Sequence, residues 1–155
     1  MINQITGDLL DVKEGYIVHG CNAQGVMNSG VAKQIRERYP ENYLVYKVSI
    51  TQKKLNFESP LGHIIKYRIG DLMIINAITQ DRYGRDGKQY VNYDAVRDCF
   101  RKINEVVLKT DDLPKIVNFP LIGCGLGGGD WDIISKIIDD ELDDSIEKNL
   151  ITPGW

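Results

Sequence analysis

Five glycines fall within the twelve residues "PLIGCGLGGGDW", 120 to 131. Backbone that bare admits a close-approaching ligand, above all an anion held by amide N–H groups, and it equally suits a sharp turn with no ligand. A second such stretch, "VHGCNAQGVMNSGVAKQI" at 18 to 35, sets an imidazole (His19), a thiol (Cys21) and a carboxamide (Asn22) ahead of further glycines. An imidazole titrating near neutrality suits a general acid, a base or a nucleophile, while a histidine inside a strand also reads as a core residue with a satisfied partner. Cys21 and Cys124 flank the two loops, but no base besides His19 stands near them and both are expected to be structural.

The letters Gly123, Gly125 and Gly128 satisfy GxGxxG. A dinucleotide fingerprint, however, belongs in the first strand-loop-helix, with a second parallel strand and a ribose-binding carboxylate about 20 residues on. Here only a helix and a very short tail are expected to follow, with Glu141 and Asp143 inside that helix. The Walker pattern GxxxxGK[ST] is absent.

The elements that must carry these loops alternate between strand and helix. Strands are expected at 16–21, 62–69, 71–78 and 115–122, with a further one at 2–6; the pair at 62–69 and 71–78 reads as antiparallel. Pro120 places the end of its strand near an edge or the sheet's rim. Val96, Phe100, Ile103 and Val107 share one face of a helix from Tyr93 to Leu108. From Asp130, which can cap the start, Ile134, Ile137, Ile138, Leu142 and Ile146 repeat the pattern. A shorter helix from about Ser29 to Tyr39 turns Val31, Ala32 and Ile35 inward and is closed by Pro40. Both glycine-containing loops therefore join a strand to a helix, and Asn22 falls at a strand's carboxyl end, where open α/β sheets bind ligands.

At 155 residues and 43% hydrophobic composition, one domain with a real core is expected. No apolar stretch reaches membrane-spanning length and "MINQITGDLL" lacks the regions of a signal peptide, so a cytoplasmic protein with no membrane partner is expected. Three cysteines without CxxC, and two distant histidines, predict a reduced compartment and no metal. A net charge of −3 argues against a broad basic face for long nucleic acid, yet leaves a small phosphorylated ligand open, because backbone N–H groups need no lysines. A monomer is expected.

Taken together, "GDLL" at 7–10, "VHGCNAQGVMNSGVAKQI" and "PLIGCGLGGGDW" resemble the macro domain family, in the right order and across nearly the whole chain. The resemblance implies a single domain over 1–155, a mixed sheet between helices in three α/β/α layers, and ADP-ribose bound at the strands' carboxyl ends without a cofactor. It implies that Asp8 accepts from the adenine amine and that Asn22 contacts the distal ribose. Gly30, Val31 and Ala32 match one diphosphate loop, and Gly123, Cys124, Gly125, Leu126 and Gly127 the other, with Leu9, Cys21 and Pro120 beside them in the same motifs.

Within the family, "HGCN" with "GCGLGGGDW" most resembles the branch that hydrolyses ADP-ribose 1″-phosphate without metal. That implies catalytic roles for His19, for Asn22 and for Asp130, the last either as a carboxylate orienting water or as a helix cap alone. The branch that removes ADP-ribose from proteins uses a lysine after the central strand and an aspartate after "GCGL", where this chain has Gln80 and Gly127. A non-catalytic ADP-ribose binder, or a hydrolase of ADP-ribosyl or O-acetyl-ADP-ribose substrates, are the alternatives. The polar segment 79–94, with Tyr83 and Arg85, reads mainly as a solvated loop, and Trp155 is expected to pack rather than to stack on adenine.

Overall fold

The computed structural model describes residues 1–154; Trp155, expected to pack, lies outside the described residues. Six strands form one sheet in the order β1-β6-β5-β2-β4-β3. They are β1 (Ile2–Thr6), β2 (Gly15–Asn22), β3 (Ile64–Ile69), β4 (Leu72–Gln80), β5 (Ile116–Phe119) and β6 (Glu147–Thr152), all parallel except β3, which runs antiparallel to β4 as expected. β2 and β4 are buried along almost their whole length, which is why they read as continuous apolar runs rather than alternating ones.

Helices cover both faces. α1 (Gly30–Arg38) and α2 (Pro40–Leu55) pack on the face carrying Ile17, Cys21, Ile74 and Ile78. The opposite face, carrying Tyr16, Val18, Ile75 and Val117, receives α3 (Tyr93–Lys109) and α4 (Trp131–Glu141). The predicted stripe of Val96, Phe100, Ile103 and Val107 is wholly buried. Phe119 ties this layer together: its ring meets Phe100 of α3 edge-on with centroids 6.4 Å apart and Trp131 of α4 at 6.1 Å.

Two elements depart from the expectations. Pro40 closes α1 but also occupies the first position of α2, where its missing N–H costs nothing. α2 turns Asn42, Tyr46 and Ile50 inward and leaves Leu44, Val48 and Leu55 exposed, so its sequence carries no clean apolar stripe. β6 follows α4 where a short tail was expected, and it pairs parallel with β5. Its buried Lys148 and Asn149 break the apolar run. Lys148 donates to the Asp143 carbonyl at 3.2 Å. Asn149 accepts from Asn3 at 3.0 Å and donates to Asn118 at 3.1 Å, while Asn118 donates to the Tyr16 carbonyl at 3.0 Å. That row of amides crosses β1, β6 and β5 in register, so a slip of any strand leaves buried polar groups unpaired.

The glycine loop thus sits in a strand-loop-helix-strand unit after all. The dinucleotide reading still fails, because β6 ends in Ile151 and Thr152 with no carboxylate for a ribose. β5 is an interior strand that stops before Pro120, which marks the rim and not an edge. Leu142 and Ile146 are buried as expected, but in the turn beyond α4. Phe119→Ala should cost about 3–5 kcal/mol, read by urea unfolding, because both helices lose their shared contact with the sheet.

Candidate functional site

β2 and β5 are neighbours, yet β2 passes its chain to α1 on one face and β5 passes its chain to α4 on the other. At such a switch point the loops at the strands' carboxyl ends diverge, and it is there that open α/β sheets form their ligand-binding crevice. Loop 23–29 stands on one side and loop 120–130 on the other. A register shift between Cys21 and Asn22 brings Asn22 opposite Gln80 at the end of β4.

Asn22 organises its own loop. Its Oδ1 accepts from Gln24 N at 3.0 Å and Val26 N at 3.4 Å, and its Nδ2 donates to the Val26 carbonyl at 2.8 Å. α2 then braces the loop from beneath. The buried Tyr46 hydroxyl donates to the Asn22 carbonyl at 2.6 Å, and Tyr43 OH donates to the Gly25 carbonyl at 3.1 Å. Arg36 lies 4.1 Å over the Tyr43 ring and donates to Asn28 Oδ1 at 2.9 Å. Sequence reasoning missed both tyrosines because it missed α2. The braced loop delivers the start of α1 with no side-chain cap on Ser29 and no acidic residue in the first turn. The N–H groups of Gly30, Val31 and Ala32 therefore emerge without intrahelical partners, as an anion site requires.

The second loop is folded on itself. Gly129 N donates to Gly123 O at 2.7 Å, Gly128 N to Gly125 O at 3.1 Å, and Gly127 O accepts from Tyr90 N and Val91 N at 2.7 and 3.0 Å. The N–H groups of Gly123, Gly125, Leu126 and Gly127 make no hydrogen bond with any described residue. The glycines divide into two kinds. A Cβ on Gly127 would come within 2.6 Å of Gly123 O, and one on Gly128 within 2.6 Å of Lys88 O, whereas at Gly125 nothing lies within 4 Å. Gly127 and Gly128 serve the loop's own packing, and Gly125 borders open space.

His19 lies in the interior. It is 1% exposed, on the α2 side of β2 and three residues short of the rim, about 10 Å along the strand from Asn22. Its Nε2 is 2.7 Å from Asn76 Oδ1. That oxygen also accepts from Asn42 at 3.1 Å, while Asn76 Nδ2 donates to Asn42 at 2.8 Å and to the Ile65 carbonyl at 2.9 Å. Burial drives the imidazole down to about 4 against a weaker opposing effect of Asn76, so the ring is neutral at pH 7. The ring expected to be catalytic is thus buried behind the rim and neutral at pH 7.

Cys21 sits 3.6 Å from His19 Nε2, but burial pushes its thiol far up and its side chain faces Ala23, Met27 and Tyr46. Cys124, half-buried in the second loop, is pushed up to about 11 by burial and the nearby Asp130, so neither sulfur is a thiolate nucleophile. Leu9 packs in the core with Ile17 and Ile35, which leaves only its backbone to a ligand. Asp8 is exposed at the rim beside β1 and caps the following turn through Leu10 N at 2.9 Å. Asp130 makes the expected cap, accepting from Asp132 N at 2.9 Å, while its own N–H donates to Tyr93 OH at 3.1 Å. Pro120 opens the second loop directly after β5. Among the described residues no group of three or more His, Cys, Asp or Glu is placed to hold a metal ion, and no helix is long and apolar enough to cross a membrane.

Residues 18–138 match the family model described as Macro domain. The chain is 31% identical over 145 residues to a 17.5 kDa protein of the tk-vs intergenic region of Enterobacteria phage T4, covering 90% of this chain and 88% of that one. It is 25% identical over 147 residues to a DNA ADP-ribosyl glycohydrolase of Thermus aquaticus, covering 92% of this chain but only 38% of that protein. Over 48 residues, 30% of this chain and 19% of the other, it is 40% identical to an ADP-ribose 1″-phosphate phosphatase of Ajellomyces capsulatus. The macrodomain of Thermus aquaticus DarG has the same fold, with a TM-score of 0.80 at 23% identity over 99% of both chains.

Two outcomes follow from the buried contacts. The imidazole binds its proton near its ordinary 6.5 when unfolded and only near 4 when folded. Unfolding therefore takes up a proton between those values, and stability that is complete above pH 6.5 is lost as pH falls, by about 3 kcal/mol near pH 4. Urea unfolding at neutral and acidic pH should show this, and His19→Gln should remove it. Tyr46→Phe should cost about 1 kcal/mol and release the loop, seen as faster amide hydrogen exchange at Gln24 and Val26.

Proposed function

The chain belongs to the macro domain family, and from that premise we propose that it binds ADP-ribose in the crevice between β2 and β5 and hydrolyses ADP-ribose 1″-phosphate. The observation that carries this reading is the pair of unpartnered amide sets, Gly30 to Ala32 on one side and Gly123 with Gly125 to Gly127 on the other. Two such sets facing one crevice suit a diphosphate, whose charges they meet without lysines and without desolvating a cation. Asp8 takes the adenine amine and Asn22 the distal ribose, with the 1″-phosphate beyond it towards Gln80.

Hydrolysis there adds a water oxygen to phosphorus, breaks the bond between phosphorus and O1″, and delivers a proton to O1″. Asn22 fixes the ribose, and the oxygen that Asp130 does not use in capping orients the water. With His19 buried and neutral, positioning and amide stabilisation of the phosphoryl oxygens supply the rate. Glycosidic cleavage is the second reading, favoured by the glycohydrolase relatives that match about nine-tenths of the chain. Gln80 weighs against it, since a carboxamide at that rim position neither takes nor gives a proton.

The test is phosphate release from ADP-ribose 1″-phosphate in chelator, beside calorimetric titration of ADP-ribose. Release is expected; tight binding without release would overturn the phosphatase step, and absence of both would overturn the site. Gly125→Val should fold normally, with unfolding free energy changed by no more than about 0.5 kcal/mol, yet bind ADP-ribose at least about tenfold more weakly.

A further inference from the structure

The inward face of α2 is occupied by Asn42, Tyr46 and Ile50, yet its outward face is apolar as well. Leu44, Val48 and Leu55 fall at steps of four and seven on one exposed row, with Val45 beside it. Phe57 extends the row past the helix end and is 98% exposed. Single apolar side chains on a surface need no explanation, whereas a contiguous row along one helix marks a contact surface.

Phe57 supplies a second, independent observation. The end of α2 is closed by a Schellman pair of bonds, Glu58 N donating to the Lys53 carbonyl at 2.8 Å and Phe57 N to the Lys54 carbonyl at 3.1 Å. That closure holds Phe57 at φ 57°, and no other non-glycine residue among the described residues has positive φ. Glycine is the ordinary occupant of this position, because a Cβ in the left-handed region crowds the following carbonyl. The apolar contact that often accompanies the motif is replaced by the ion pair of Lys53 with Glu58 at 3.8 Å. The fold therefore gains nothing from an aromatic ring at 57: the backbone is disfavoured there and the ring stands in water. Strain of this kind, kept at an exposed side chain, points to a task outside the fold.

We propose that this face docks an amphipathic helix of another protein, apolar along one row and acidic along one flank. The charges beside the row select that occupant. Lys47 and Lys54, seven residues apart, share one flank, and neither has a carboxylate within 4.0 Å among the described residues. The other flank carries Val45, Ser49 and Gln52, and Glu41 stands alone at the helix start, where it complements the helix dipole. A helix laid along the row thus meets apolar anchors in the middle and cations on one side only. A second copy of α2 does not supply that complement. Antiparallel two-fold pairing sets the flank of Lys47 and Lys54 beside itself, and parallel pairing gathers Lys53 and Lys54 of both chains at one end. A bilayer surface is met by cations on both sides of an apolar face, not on one. One helix row falls short of the roughly 800 Å² per partner of a standard interface, so the complex is a transient one.

The test uses a fluorescein-labelled helical peptide with Leu at i, i+3, i+4 and i+7 and Glu along one flank, beside a twin with Lys in place of each Glu. The full chain should bind the acidic peptide with a Kd below about 100 μM and the twin at least about tenfold more weakly. Lys47→Glu with Lys54→Glu should reverse that preference, which adhesion to an apolar face would not do. Phe57→Gly should weaken binding of the acidic peptide about fivefold or more while its urea midpoint rises, because glycine relieves the backbone. ADP-ribose titration into Phe57→Gly should be unchanged, so the docking face and the ADP-ribose site stand or fall separately. Equal affinity for peptide and twin, no binding of either up to about 1 mM, or a lowered urea midpoint in Phe57→Gly would each overturn the proposal. Co-sedimentation with vesicles of phosphatidylcholine and phosphatidylserine would assign the face to a bilayer, and a dimer lost in Phe57→Gly would assign it to a second copy; either result overturns it too.

Discussion

Adjacent parallel strands whose chains leave to opposite faces of the sheet hold their loops apart, and in this protein that constraint acts between β2 and β5. That divergence of the loops is a by-product of topology. α4 carries away the chain from the glycine loop and α1 the chain from the Asn22 loop, so each unpartnered amide set begins or precedes a helix. The helix ends themselves set the field, because their free N–H groups carry partial positive charge where a ligand's phosphates would lie.

Holding the Asn22 loop open against water requires support from below, and α2 supplies it. Tyr46 and Tyr43 reach the loop's carbonyls from a helix whose outward face is partly apolar and whose inward face carries Asn42. That asparagine belongs to the closed network of Asn42, Asn76 and His19, in which the ring finds a partner and Asn76 spends both ends of its amide. A buried network satisfied to this degree specifies one docking of α2 on β2 and β4 where apolar packing alone would tolerate several.

The glycine-rich loop illustrates how one composition meets two demands. Close self-packing consumes Gly127 and Gly128, whose Cβ positions are already filled by backbone of the same loop and of residue 88. At Gly125 an added Cβ would meet nothing within 4 Å. A run of glycines in a sequence carries no mark that separates the two.

Periodicity and punctuation by themselves determined much of this chain. The stripe of Val96, Phe100, Ile103 and Val107, the cap at Asp130, the antiparallel pair β3 and β4, and the two strand-to-helix loops all depend on local spacing, and all stand in the structure. The three motifs also carried the family and hence the three-layer fold. What stayed hidden depends on contacts between distant residues. α2 and β6 lack a readable apolar pattern because Asn42, Lys148 and Asn149 are buried against partners from other elements. The role of His19 was open in the sequence for the same reason. A histidine three residues from a strand's end is a catalyst or a core residue according to which way the strand faces and what covers it. Which way it faces is a matter of the tertiary structure alone: the packing of α2 over β2 surrounds the ring with apolar and amide groups, which exclude solvent and keep it neutral at pH 7.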